Sequence, residues 1–214
     1  MSNQSARPSQ LMKILSAFLA AAFFPILAFA EDALVEGGRS PDGRYDVRLV
    51  RTPNYDSNKD GSEYLFHVTA KNSKKPLLKL GGSGFRPYTS AQKYCKALWD
   101  KSSRFVAILD HDTKHSTNTH VIVVTPSRAT KLGIPEYVQN ALGRVDATEV
   151  DFACVSIPKQ WDGDDLILQL YFTANGRQSY TCDVTLRVSH EERSTPSLGL
   201  KAVTQPMVDA PASE

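Results

Sequence analysis

Three stretches of the sequence hold side chains of the right type and spacing for chemistry. Asp56-Ser57-Asn58-Lys59-Asp60-Gly61 reads D-x-N-x-D-G. That is the opening half of a calcium loop, where alternate oxygens face one ion and Gly turns the chain. Asp56, Asn58 and Asp60 are the candidate metal ligands and calcium the candidate ion. The position that should carry a bidentate Glu is His67, and the flanks read as strands, so a plain hairpin loop competes with the ion site. Asp110-His111-Asp112, with His115 and His120, gathers zinc-type ligands within eleven residues. They lie between two apolar strands, where a polar hairpin is required anyway, and neither H-E-x-x-H nor a Cys partner accompanies them. The third stretch runs from Phe85-Arg86-Pro87-Tyr88 to Tyr94. Its aromatics and cations lie outside any strand pattern, on the kind of long loop where binding tends to sit. Phe85, Arg86, Tyr88 and Tyr94 are the candidate binding residues, against the alternative that Phe85 and Tyr88 plug the end of a sheet.

Other catalytic signatures fail on spacing. Gly81-Gly82-Ser83-Gly84 is followed by Phe85, so it is no nucleophile elbow, and Pro87 rather than a helix comes next, so it is no phosphate loop. Asp164-Asp165 sits on a turn and reads as a solvated hairpin tip rather than a glycosidase pair. No catalytic residue is assigned.

The 214 residues hold 25 Lys+Arg and 23 Asp+Glu, are 41% hydrophobic, and include three Cys. This is ordinary globular composition. Residues 1–30 read as a signal peptide. Arg7 and Lys13 give a positive start, Ile14 to Leu27 an apolar stretch, and Ala28-Phe29-Ala30 a small-x-small cleavage site before Glu31. The expected location is therefore periplasmic or secreted, after cleavage near Ala30. An uncleaved anchor is the alternative. No later stretch is long and apolar enough to span a bilayer. Residues 31–214 are formally neutral, with 23 bases and 23 acids, which disfavours nucleic acid as a partner.

Alternation of apolar and polar residues organises the rest. Tyr45, Val47 and Leu49 share one strand face, and Tyr64, Phe66 and Val68 another. Phe105 to Leu109 and Val121 to Val124 are continuous apolar runs, as in strands buried on both faces. Further strands are expected over 150–157, 166–172 and 180–188, with shorter ones at 77–80 and 95–99. Turn signals separate them, among them Pro41-Asp42-Gly43, Asp162-Gly163 and Asn175-Gly176. One short helix is expected near 134–142, from Ile134, Tyr137, Val138, Ala141 and Leu142, with Pro135 in its first turn and Gly143 past its end. The expected domains are the signal peptide, a single β-rich domain over 31–190, and a flexible tail over 191–214.

One turn recurs. Ser40-Pro41-Asp42-Gly43-Arg44 feeds an alternating strand, and Trp99-Asp100-Lys101-Ser102-Ser103-Arg104 has the same shape about 60 residues later. Trp161-Asp162-Gly163-Asp164-Asp165 is a degenerate third copy. At Ser40 to Val47 and Trp99 to Ile108 the chain resembles the TolB-type β-propeller blade repeat, in which a strand ending in Trp leads into Ser-Pro-Asp-Gly and a β-rich run. The resemblance implies blade-like sheets. Closed propellers need about 4–8 blades of ~40–45 residues, so the wider spacing here predicts mostly antiparallel sheets in a sandwich or an open partial propeller of two or three blade-like units.

These readings converge on a non-catalytic binding or scaffold module whose partner is a protein or envelope component, with no cofactor unless calcium binds. The alternatives are a hydrolase of envelope polymers, with a site assembled only in three dimensions, and a calcium-stabilised structural domain. Cys154 and Cys182 fall on the outer strands of an expected three-strand meander, nearly 10 Å apart, too far for a disulfide.

Overall fold

The computed structural model describes residues 32–56, 62–82, 87–111, 117–151, 154–189 and 196–209. Three consecutive four-stranded antiparallel meanders build the fold. The first comprises β1 (Asp32–Arg39), β2 (Tyr45–Arg51), β3 (Tyr64–Ala70) and β4 (Pro76–Gly81). The second comprises β5 (Lys96–Trp99), β6 (Phe105–Asp110), β7 (Asn118–Val124) and β8 (Ala129–Leu132). The third comprises β9 (Cys154–Asp162), β10 (Asp165–Ala174), β11 (Gln178–Ser189) and β12 (Ser197–Val203), and β13 (Met207–Val208) also pairs with β11. A parallel bridge between Glu36 and Lys96 joins β1 to β5, so the first two meanders make one eight-stranded sheet. Gly37 permits that approach: its φ is +68°, and a Cβ there would lie 2.3 Å from the Ala97 carbonyl oxygen. The architecture is mostly β, as the alternation predicts.

The meanders pack through two cores. Tyr45, Val47, Phe66 and Val68 of the first meet Val106, Ile108 and Ile122 of the second. Phe105, Ala107, Val121 and Val123 of the second meet Leu166, Leu168, Leu170 and Phe172 of the third. The middle meander is therefore covered on both sides, and all six residues of β6 are buried. This accounts for the unbroken apolar runs in its sequence.

The recurring turns are equivalent in three dimensions. Ser40 N–H donates to the Tyr45 carbonyl at 2.9 Å, and Asp100 N–H to the Phe105 carbonyl at 3.0 Å. Gly43 and Ser103 take positive φ at matching positions, +70° and +62°. The first turn is held by two side chains: the Ser40 hydroxyl accepts Tyr45 N–H and the Asp42 carboxylate accepts Arg44 N–H. In the second, Asp100 alone accepts the N–H groups of Ser102, Arg104 and Phe105.

The structure corrects several expectations. The strand expected at 150–157 is β9, Cys154–Asp162. A bulge at Lys159 carries it past Pro158 to Trp161, which pairs with Leu166. The helix expected near 134–142 is shorter, α2 (Val138–Gly143). Pro135 precedes it, and the Glu136 carboxylate accepts Val138 N–H at 2.8 Å. The expected inward residues do face the core, with Ala141 and Leu142 fully buried. A second helix, α1 (Tyr88–Tyr94), occupies the stretch read as loop. The tail expected to be flexible over 191–214 contains β12 and β13, since Leu198 and Val203 are buried against the core. Asp165 is buried rather than a solvated hairpin tip.

Candidate functional site

The proposed calcium loop follows β2. Asp56 is half-buried there, and Asn58 and Asp60 lie outside the described residues. Among the described residues, no group of three or more His, Cys, Asp or Glu side chains is placed to hold a metal.

The proposed binding stretch divides. Phe85 and Arg86 lie outside the described residues. Pro87 caps α1, and the single i, i+3 spacing of Tyr88 and Ala91 puts both in the core between the first two meanders. The Tyr88 hydroxyl donates to the Leu49 carbonyl at 3.3 Å, and burial pushes its phenol pKa up. Tyr88 is an anchor. Tyr94, at the other end of the helix, is 47% exposed. Its ring centroid lies 5.7 Å from that of His111. The helix thus fixes one tyrosine and presents the other.

A polar cluster lies within the core beside α1. Asp110 ends β6, is fully buried, and accepts the Tyr64 hydroxyl at 3.0 Å and the Cys95 thiol at 3.7 Å. His120 on β7 places Nε2 3.9 Å from the other Asp110 oxygen, with its ring edge-on to Phe66. Of the sequence's zinc-type set, Asp110 and His120 thus come together, His111 pairs with Tyr94, and Asp112 and His115 lie outside the described residues. A reactive thiol needs a neighbouring cation or helix N-terminus. The Cys95 thiol donates to the Asp110 carboxylate, an arrangement suited to internal hydrogen bonding. Gly82 belongs to the same region for a packing reason: a Cβ there would lie 1.9 Å from the Tyr64 ring.

The three turns frame the remaining polar surface. The first and second are tied together by Asp42 N–H donating to the Ser103 hydroxyl at 3.1 Å. The third is a tighter hairpin, with only Gly163 and Asp164 between the paired residues Asp162 and Asp165 and Gly163 at φ +59°. It leaves an open cleft of about 270 Å³ beside the second turn, lined by Lys101, Ser102, Arg104, Trp161, Asp162 and Asp164. Sequence reading found the turns as repeats but not this cleft. The available signal was the shorter third turn following a Trp at the same spacing. A second opening of about 220 Å³ lies where β1, β5 and β9 meet, with Glu36, Lys96, Leu98, Ile157 and Pro158 among its walls. The Lys96 ammonium and Glu36 carboxylate pair there at 3.0 Å.

No protein-family model matches the chain, and neither the curated proteins nor the solved structures hold a match to it. The reading of function therefore stands on the geometry.

Proposed function

We propose that the chain is a secreted or periplasmic, non-catalytic binding or scaffold module, released by cleavage near Ala30, whose partner is a protein or envelope component. The carrying observation is α1. Tyr88 and Ala91 lock it into the core while Tyr94 stands 47% exposed beside His111. An aromatic held out on a rigid base loses little entropy when a partner covers it. The three successive meanders, two of them with a Trp and a tight turn between their first and second strands, support the partial-propeller reading.

The test replaces Tyr94 with a photo-crosslinking phenylalanine in cells that produce the full chain. A discrete adduct with one envelope component is the expected result, and His111→Ala should reduce it. A smear of weak adducts, or none, would overturn this reading.

Among the described residues, the 3.9 Å approach of His120 to Asp110 is the arrangement that favours the hydrolase alternative. Turnover of an envelope polymer, lost in His120→Ala while the fold is kept, would establish it.

A further inference from the structure

We propose that the cleft between the second and third turns binds one neutral sugar ring of a glycan. This goes beyond the binding-module reading and does not depend on Tyr94.

The cleft is held rigidly. Asp100 is wholly engaged in its own turn, accepting from Ser102, Arg104 and Phe105, so it serves as frame. The Asp164 carbonyl accepts Val188 N–H at 2.9 Å, which ties the third turn to the end of β11. Trp161 is fixed twice. Its indole N–H donates to the Leu98 carbonyl at 3.0 Å, and one ring face stacks on Phe105 with centroids 5.6 Å apart. The half-buried indole is thus a pre-set apolar wall of the cleft.

The rest of the lining carries both signs of charge. Lys101 and Arg104 bring positive charge to the lining and Asp162 and Asp164 negative charge, and the exposed Lys101 and Asp162 offer a donor and an acceptor to a ligand. An anionic ligand would meet two carboxylates and a cationic one two bases, so a net charge of either sign is disfavoured. A neutral ligand rich in hydroxyls, each both donor and acceptor, can use both sets. A pyranose also has a C–H face that lies flat on an indole. The volume, about 270 Å³, sits near the lower end of small-molecule clefts at ~300 Å³. It therefore suits one ring with its neighbours extending into solvent.

The equivalent place between the first and second turns makes a built-in contrast. There Asp42 N–H reaches Ser103 and ties the turns together. The third turn is shorter, and the cleft opens beside it.

The experiment titrates the purified chain, without residues 1–30, with tetrasaccharides of β-1,4-glucose, α-1,4-glucose and β-1,4-N-acetylglucosamine. Oligogalacturonate and oligoglucosamine serve as charged controls. Calorimetry and Trp fluorescence both report. At least one neutral oligosaccharide should bind with submillimolar Kd and perturb Trp emission, and both charged controls should bind more weakly. Trp161→Ala should weaken binding by about tenfold or more, the loss of one ring stack. Because that variant also removes a core contact, Asp162→Asn and Lys101→Ala, both at exposed positions, test the same cleft without touching the core; each should weaken binding severalfold. Absence of binding by all three neutral probes at millimolar concentration would overturn the proposal. So would equal affinity for a charged control, or unchanged affinity in both Asp162→Asn and Lys101→Ala.

Discussion

Trp161 stands on Phe105 as Trp99 stands on Tyr45. The ring pairs are nearly parallel, at 25° and 16°, with centroids 5.6 and 6.2 Å apart. Each indole N–H also donates to a carbonyl of the preceding meander, Leu98 for Trp161 and Gly38 for Trp99. Arg104 and Arg44 lie over the two receiving rings. One docking device is thus used at both junctions. At the ends of the array it is replaced by charge. Arg39 occupies the Trp position of the first meander and pairs with Asp46 at 2.9 Å. Asp165 occupies the aromatic position of the third and pairs with Arg187 at 2.6 Å and with Lys201. Polar outer faces of this kind are how stacked arrays end.

Trp99→Phe separates the two parts of the docking device. It keeps the stack on Tyr45 but leaves the Gly38 carbonyl without its indole donor, which costs about 1 kcal/mol. Trp99→Ala removes both and leaves a hole, costing about 3–5 kcal/mol. Urea unfolding midpoints measure the difference. Equal losses in the two variants would show that the hydrogen bond, not the packing, joins the meanders.

Asp165 makes the end of the array sensitive to acid. Hydrogen bonds from Arg187, outweighing burial, and then from Lys201 hold its carboxyl below the usual 3.8. A depressed carboxyl stabilises the fold above the unfolded value and loses that contribution as pH falls through the folded one. Asp165→Asn should cost about 1–2 kcal/mol at neutral pH, since both bases keep much of their surface in water. Its stability should then change less than wild type between about pH 4 and 2. Parallel loss in the two proteins would contradict the assignment.

His67 works in the opposite direction. Burial, with Lys79 nearby, lowers its pKa from the usual 6.5, and its buried Nε2 has no hydrogen-bond partner among the described residues. The unfolded chain therefore takes up a proton more readily than the folded one, so this contribution weakens as pH falls below about 6.5. His67→Leu should raise neutral stability by about 1 kcal/mol and flatten the profile there. Denaturant midpoints at mildly acid and mildly alkaline pH give the comparison, and an unchanged slope would count against it.

All three cysteines should be counted as thiols. Cys95, Cys154 and Cys182 are not joined in disulfides, and β10 separates β9 from β11 as the expected meander requires. Burial pushes the Cys182 thiol up to about 11 and raises Cys154 as well. Native protein at neutral pH should react slowly with iodoacetamide at both. In denaturant without reductant, all three should react; a mapped Cys154–Cys182 bridge would contradict the strand order.

Strands with clean alternation were legible, among them β2, β3, β10 and β11. The double burial of β6 and β7 was legible too, because it removes polar residues altogether. Elements whose packing is one-sided or brief were not. In β1, Glu36-Gly37-Gly38 breaks the alternation, because two glycines serve backbone approach rather than facing. In α1, one turn offers only Tyr88 and Ala91 as inward residues. In β12, Gly199 and Lys201 interrupt the pattern beside a bulge in the pairing with β11. Of the four candidate binding residues, Tyr88 and Tyr94 had opposite fates on one short helix, which composition alone cannot separate. The inter-turn cleft was invisible because it comes from a difference in loop length between repeats, not from any local motif.

The middle meander also governs how the chain must be made. Both faces of its central strands, β6 above all, are interior and stay exposed to solvent until each neighbour arrives. A nascent chain or proteolytic fragment ending before β9 would expose Phe105, Ala107, Val121 and Val123 together on adjacent strands, an invitation to aggregation. Folding of the first two meanders is therefore completed only once the third has emerged to cover that face.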